Sequence, residues 1–122
     1  IKEDAFFDTD RMISETRIIG ICPVIKDQKS GKEKDVCWFY FPELRKTLAR
    51  LKISDRTVPS YIKTMDDLFF FRYFYGEIYK ESNLGNKQIS DYCKGDEIKK
   101  EAERIELSII EMEHDTWLKM AK

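Results

Sequence analysis

Histidine, glycine and proline are scarce in this sequence, and their scarcity removes several kinds of site. The chain has one histidine, His114, and its cysteines, Cys22, Cys37 and Cys93, include no Cys-x-x-Cys pair, so no common metal-ligand spacing is present. The five glycines stand singly, which leaves no glycine-rich loop to hold a phosphate. We therefore predict no catalytic, cofactor-binding or metal-binding residues.

An excess of one charge and a long uncharged apolar run are also missing. Lysine and arginine number 22 against 23 aspartate and glutamate, a balance that argues against a nucleic-acid-binding surface. Six aromatic rings lie within residues 69–75, the most apolar part of the chain. Arg72 and Glu77 interrupt this stretch, which is too short to span a membrane, so we expect no direct membrane span.

The length and composition are those of a globular domain. With 122 residues, 42% hydrophobic and 37% charged, the chain predicts a single domain over residues 1–122 with a strongly solvated surface. It begins at Ile1, with neither an initiator methionine nor a signal sequence. We interpret the chain as a fragment of a longer protein.

Two apolar strands are predicted in the N-terminal half. Met12–Lys26 is rich in isoleucine, Asp35–Phe41 is rich in aromatic residues, and the polar loop Asp27–Lys34 joins them into an antiparallel hairpin. Pro23 has no N–H to donate, so its strand should lie at an edge or bulge there. Alternation along the second strand predicts one face with Val36, Trp38 and Tyr40 and another with Cys37, Phe39 and Phe41.

The register of this hairpin decides whether Cys22 can reach Cys37. If Lys26 pairs with Asp35, Cys22 faces Phe39 and a disulfide is excluded. If each residue of the first strand instead pairs two positions earlier on the second strand, Cys22 lies opposite Cys37 and a bridge becomes possible. The sequence leaves both a disulfide and two buried thiols open.

A central helix is predicted over Met65–Glu81, where the aromatic rings are concentrated. Thr64 and Asp67 fit a capping box at its start. The rings form two adjacent rows at helical spacing, so the helix should be covered on most of its sides. Gly76 within it indicates close approach by a neighbouring element.

Two further helices flank the central one. Pro42 suits the first turn of a short helix with Leu44, Leu48 and Leu51 on one face. The last helix should cover Asp96–Met120, with a stripe of Ile98, Ala102, Ile105, Ile109 and Met112. That stripe either packs on the central helix or forms an exposed seam for a partner helix. The predicted fold is α+β, an antiparallel β-hairpin or small sheet packed against two longer helices and one short helix.

The single histidine supports only a weak case for catalysis. Glu111 and His114 have the spacing of one half of a di-iron site, but a second such pair is missing. We expect His114 to make a structural contact. A small hydrolase or metal enzyme using His114 is one alternative function, and a peptide- or protein-binding regulatory module is another.

Short segments along the chain resemble, in the same order, the GldN/PorN family of the type IX secretion system. The segments are Arg17–Val24, Trp38–Pro42, Thr64–Asn83, Ile89–Tyr92, Ala102–Ile105 and Glu113–Trp117. The resemblance extends in collinear order along nearly the whole chain, although Lys52–Lys63 departs from the family pattern. The resemblance implies that the chain is the C-terminal half of a longer secreted or periplasmic protein.

The same resemblance implies a non-catalytic structural role in type IX secretion and gliding motility. Family members are expected in the periplasm, associated with the outer membrane, where they form a ring with an outer-membrane lipoprotein of the GldK/PorK type. Contact with the periplasmic region of a GldM/PorM-type protein and self-association in the ring are further expectations. The residues predicted to bind a partner are the apolar ones of the hairpin, Ile19, Ile21, Pro23, Ile25 and Trp38.

Overall fold

The chain has an α+β fold in the computed structural model, which describes residues 1–120. Within these residues the strands are β1 (Lys2–Asp8), β2 (Ile13–Ile21), β3 (Val24–Lys26), β4 (Glu33–Asp35) and β5 (Phe39–Tyr40), and the helices are α1 (Phe41–Leu48), α2 (Met65–Phe70), α3 (Ile89–Tyr92) and α4 (Asp96–Met120). A three-stranded sheet has the order β1-β2-β5, and β3 pairs with β4 in a separate ribbon. The predicted α+β class with a small antiparallel sheet is confirmed.

The described chain divides into two compact units. The first contains residues 1–4 and 16–74, and the second contains residues 5–15 and the chain from Tyr75 onward. Strands β1 and β2 each contribute residues to both units. Strands β3 and β4 and helices α1 and α2 belong to the first unit. Helices α3 and α4 belong to the second.

Strand β1 was not expected from the sequence, whose charged residues obscure its alternation. The turn that follows it is held by Asp8, whose Oδ1 accepts hydrogen bonds from the backbone N–H groups of Asp10 (3.0 Å) and Arg11 (3.1 Å). Met12 completes the turn with a left-handed backbone (φ 57°). The result is that β1 lies beside β2 as an edge strand of the sheet.

The core of the first unit is built by α1 and by the segment leading into α2. Phe41, Leu48 and Ile62 are buried, and the ring of Phe41 packs edge-on against that of Phe69 with 5.5 Å between centroids. Pro42 occupies the first turn of α1, as predicted. The helix ends at Leu48, however, so Leu51 lies outside the expected stripe and is half exposed.

The predicted central helix begins at the expected residue but ends eleven residues before the predicted end. Asp67 N–H donates to Thr64 Oγ1 (3.3 Å) and Thr64 N–H donates to Asp67 Oδ2 (2.8 Å), which confirms the capping box. The helix then stops at Phe70 instead of Glu81. Beyond it the chain runs without regular structure to the start of α3.

A Schellman motif with an arginine in the left-handed position ends α2. Arg72 has φ 51°, its N–H donates to Phe69 O (3.1 Å), and Tyr73 N–H donates to Leu68 O (2.8 Å). The side chain of Arg72 stabilises this conformation through hydrogen bonds to Glu3. Because Glu3 is distant in the chain, no local signal marks the end of the helix at this point.

The early end of α2 changes the environment of the aromatic rings. Phe69 and Phe74 are partly buried and lie 5.8 Å apart between ring centroids. The expectation that the rings would be covered on most sides is wrong for the others: Phe70, Phe71, Tyr73 and Tyr75 are exposed, Tyr75 to 88%. Gly76 has no heavy atom within 4 Å of an added Cβ, so the expected close approach there is also wrong.

In the second unit, α3 packs on α4 and each helix contributes one fully buried isoleucine. Ile89 of α3 is 1% exposed and Ile105 of α4 is 2% exposed. Helix α4 has the predicted bounds, and the first half of its stripe, including Ile98 and Ala102, is partly or fully buried. Its second half is exposed at Met112. The first half of the stripe therefore packs on α3 instead of on a long central helix, and the second half is open to solvent.

Candidate interaction surface

Two ladders of different register run along the hairpin that carries the predicted partner-binding residues. In the first, Gly20 lies opposite Tyr40, and Ile21 lies opposite Phe39. In the second, the pairs are Val24 with Asp35, Ile25 with Lys34 and Lys26 with Glu33. The pairing of Lys26 with Asp35, considered from the sequence, does not occur.

A β-bulge lies where the two registers meet. Val36 N–H donates to Pro23 O at 3.0 Å, which extends the second register by one pair. Between that pair and Ile21–Phe39, one strand has only Cys22 while the other has Cys37 and Trp38. Two residues opposite one define a bulge, and it interrupts both strands beside Pro23.

The position of Pro23 agrees only in part with the edge-or-bulge prediction. Strand β2 lies between β1 and β5, so it is a central strand and not an edge. Pro23 comes after β2 has ended, at the bulge, and β3 begins at Val24. Within the described residues β3 pairs with β4 alone, so its other edge is open.

The registers place most of the predicted partner-binding residues on one face of the hairpin. Side chains of directly paired residues, and of residues two apart along a strand, share a face. On this basis Pro23, Ile25 and Val36 lie together, and Ile21 with Phe39 continues the same face beyond the bulge. We call these five residues the Ile25 face; Ile19 extends it along β2.

Exposure along this face increases away from the three-stranded sheet. Ile19 and Ile21 are partly buried, whereas Phe39 is 43%, Val36 51% and Ile25 63% exposed. Apolar side chains that are clustered and open to solvent commonly mark a site where another protein binds. The outer part of the Ile25 face is therefore the part available to a partner without unfolding.

Trp38 is not brought together with the other predicted residues. A Cβ added to Gly20 would meet Trp38 Cε3 at 3.2 Å, so the indole lies on the side to which Gly20 points. Alternation along β2 directs Ile19 and Ile21 to the opposite side. Trp38 is half exposed and belongs to the other face of the hairpin.

Val36 and Phe39 were missed as members of the candidate surface. Simple alternation put Val36 on a face with Trp38 and assigned Phe39 to the opposite one. The extra residue in the bulge reverses the alternation between positions 36 and 39, so Val36 and Phe39 share a face. The signal available in the sequence was Pro23, which predicts a defect in the ladder without saying on which strand it falls.

The end of the ribbon is polar and well ordered by hydrogen bonds. Lys26 Nζ lies 3.6 Å from Glu33 Oε1, and Asp27 accepts hydrogen bonds from the backbone N–H of Lys29 (3.1 Å) and from the side chain and backbone of Ser30. The Ser30 hydroxyl, followed by the Lys29 amide, holds the pKa of the Asp27 carboxyl below its usual value. These contacts fix the loop that presents β3 and β4.

The residues considered for chemistry do not form a site. Glu111 and His114 are exposed, and the thiols of Cys22, Cys37 and Cys93 are free. No group of three or more His, Cys, Asp or Glu side chains in the described part of the chain could hold a metal ion.

A family model described as gliding motility associated protein GldN matches residues 1–118 of the chain. The chain belongs to the GldN family. The sequence has no match among curated proteins or among solved structures. The resemblance noted from the ordered segments is thereby confirmed.

Membership in the GldN family connects the fold with a function. The family is a structural one associated with gliding motility and type IX secretion, and this role is consistent with a location in the cell envelope. Among residues 1–120, no helix combines the length and the apolar character that crossing a membrane requires. The Ile25 face is thus an apolar surface on a GldN-family domain.

Proposed function

We propose that this GldN-family chain is a non-catalytic structural component of the type IX secretion and gliding machinery, and that it binds its neighbours through the Ile25 face. It acts in the periplasm, associated with the outer membrane. There it assembles with an outer-membrane lipoprotein of the GldK/PorK type into a ring that includes other copies of itself. Contact with the periplasmic region of a GldM/PorM-type protein completes this proposal.

The observation that carries the proposal is the apolar character of an exposed face. Ile25, Val36 and Phe39 together present branched and aromatic side chains to solvent on one side of a short hairpin. A soluble domain does not gain stability from leaving such side chains in water. An assembly component gains binding energy when a partner covers them.

The open edge of β3 offers a second element of the same surface. Its backbone groups on the side away from β4 are not part of a ladder in the described residues, so an extended segment of a partner can add there as a strand. Ile25 would then lie beside the added strand, and its side chain would contact the partner's alternate residues. Backbone pairing and apolar contact thereby act at one place.

Binding of the lipoprotein by single variants tests the proposal. Because Ile25 is 63% exposed, Ile25→Asp should leave the fold intact and weaken binding of a purified GldK/PorK-type lipoprotein at least about tenfold. Val24→Asp is the matched control, since Val24 is a similarly exposed β3 residue that points to the opposite face. Circular dichroism and thermal melting verify folding of both variants.

Trp38 requires its own variant because it lies on the other face. If Trp38→Asp binds the lipoprotein normally and Ile25→Asp does not, the interface lies on the Ile25 face alone. Unchanged lipoprotein binding by a folded Ile25→Asp protein would remove the proposed contact. Cell fractionation with detection of the protein in the cytoplasm would remove the periplasmic role.

A further inference from the structure

We infer that Cys22 and Cys37 are a disulfide-forming pair that closes residues 22–37 into a covalent loop at the bulge. The second register of the hairpin extends through the Val36–Pro23 hydrogen bond, and the next position along it sets Cys22 opposite Cys37. This is the register that the sequence left open. The structure thereby selects the arrangement in which a bridge between these two residues is geometrically allowed.

The type of pair at this position favours a bridge. Pro23 and Val36 form a hydrogen-bonded pair, in which proline lacks the second donor, so the neighbouring pair is of the non-hydrogen-bonded kind. Such pairs bring Cα atoms to about 4.5 Å with their side chains close together. A disulfide spans Cα separations of roughly 4.4–6.8 Å, so a pair with this spacing lies within reach.

Both thiols are free in the structure, so neither is already committed to another bond. Cys22 is partly buried and Cys37 is exposed, so the thiolate of Cys37 is the one that can reach an oxidant and attack it. Cys22 Sγ donates a hydrogen bond to Pro23 O at 3.5 Å. This contact is weak and local, so forming a bridge to Cys37 would require only that it be given up.

The oxidation proceeds by thiol–disulfide exchange with a disulfide-bearing oxidant. The thiolate of Cys37 attacks one sulfur of the oxidant, breaks its S–S bond and forms a mixed disulfide, releasing the first oxidant thiol. The thiolate of Cys22 then displaces the second oxidant thiol and forms the Cys22–Cys37 bond. Two cysteine thiols are oxidised, and the two sulfurs of the oxidant are reduced to thiols.

The bridge would join the two strands at the point where backbone pairing is interrupted. The ladder is broken at the bulge, between Ile21–Phe39 and Pro23–Val36. A covalent link there fixes both registers and hence the relative positions of the two halves of the Ile25 face. It also restricts the unfolded chain, so the oxidised protein should melt on the order of 10 °C higher than the reduced one.

Mass mapping of the purified protein after incubation with oxidised glutathione tests the pairing. The expected product is a protein lacking two hydrogens, whose proteolytic peptides carry a Cys22–Cys37 link. Cys93→Ser should retain the link and the rise in melting temperature, whereas Cys22→Ser and Cys37→Ser should lose both. Free thiols at Cys22 and Cys37 in the folded, oxidant-treated parent protein, or a link that includes Cys93, would overturn the inference.

The presence of the bridge in cells rests on the proposed periplasmic location, because structural disulfides persist in oxidising compartments. Rapid alkylation of intact cells, followed by the same mapping, separates the two proposals. A link formed in the purified protein but absent in cells supports the pairing and counts against the location. A link present in both supports both proposals.

Discussion

The guanidinium of Arg72 makes two hydrogen bonds to the carboxylate of Glu3, at 2.8 and 3.2 Å. This pair joins the end of α2 to strand β1 within the first unit. The same arginine lies over the ring of Phe74, with 5.4 Å from Cζ to the ring centroid. Arg72 thus holds a left-handed backbone at the helix end with contacts that glycine, the usual residue there, cannot make.

Substitutions of Arg72 should separate the backbone conformation from the side-chain contacts. Arg72→Ala and Arg72→Gly both lose the contacts to Glu3 and Phe74, but alanine also retains the cost of a φ of 51°. Arg72→Ala should therefore be less stable than Arg72→Gly by about 1 kcal/mol in urea unfolding. Glu3→Gln measures the loss of the ion pair alone. Equal stability of the two Arg72 variants would contradict the role of the left-handed position.

The ion pair between Arg45 of α1 and Asp66 of α2 should couple the two helices measurably. Its two hydrogen bonds, Nε to Oδ1 at 2.8 Å and Nη2 to Oδ2 at 2.9 Å, raise the pKa of Arg45 above its usual value. Asp66 is 16% exposed but Arg45 is 47% exposed, so solvent screens the pair and the coupling should be about 1 kcal/mol. A double-mutant cycle with Arg45→Ala and Asp66→Ala measures it.

Lys46 provides the control for that cycle. It lies next to Arg45 on α1 and takes part in no ion pair within the described chain. The cycle of Lys46→Ala with Asp66→Ala should therefore give a coupling energy near zero. A coupling for Arg45 no larger than that for Lys46 would show that the observed hydrogen bonds do not contribute to stability.

The carboxylate of Asp67 should make stability dependent on pH in the acidic range. Hydrogen bonds from the backbone N–H groups of Lys63 and Thr64, and from the Thr64 side chain, hold its pKa below the unfolded value of 3.8. Because the pKa of Asp67 is lower in the folded protein, its contribution to folding stability is complete above pH 3.8. That contribution is lost as the pH falls through the folded pKa. Asp67→Asn should thus be less stable than the parent at neutral pH.

The difference between the urea midpoints of the parent and Asp67→Asn measures this contribution across the acidic range. It should be largest at neutral pH and should disappear below the folded pKa of Asp67. Asp4→Asn is the control, since Asp4 is an exposed β1 carboxylate outside the hydrogen-bond network of α2, and its difference should not vary in this way. A constant difference for Asp67→Asn would show that the carboxylate charge does not stabilise the cap.

The isoleucines between α3 and α4 should dominate the stability of the second unit. Ile89→Ala and Ile105→Ala each remove a side chain that is no more than 2% exposed, and each should cost about 3 kcal/mol because a cavity remains. Ile110→Ala is the control on the same α4, where the side chain is 55% exposed, and it should cost less than about 0.5 kcal/mol. Chemical denaturation followed by circular dichroism compares the three variants.

Several elements could be predicted because their signals are local. The bounds of α4 follow from a stripe of apolar residues at helical spacing, and the start of α2 follows from the Thr64–Asp67 capping box. Pro42 marked the first turn of α1. In each case the interaction that fixes the element lies within a few residues of it, so it is readable along the chain.

The common face of several hairpin residues was predictable for the same reason. Ile19, Ile21, Pro23 and Ile25 fall on one face because alternation along an extended strand is a local property. The placement of Trp38, Val36 and Phe39 depends on a bulge whose position is set by pairing between strands. A shift of one residue in that pairing exchanges the faces, and no residue type by itself signals the shift.

The sequence by itself determined the family, the α+β class and the helix over Asp96–Met120, since order of segments and periodicity are properties of the chain alone. Only the tertiary structure decided where α2 ends, which aromatic rings are covered, and that a bulge places Cys22 across from Cys37 and Trp38. Those features depend on Glu3 reaching Arg72 and on one strand pairing with another in a particular register. Contacts between residues distant in the chain fix them, and such contacts exist only once the chain has folded.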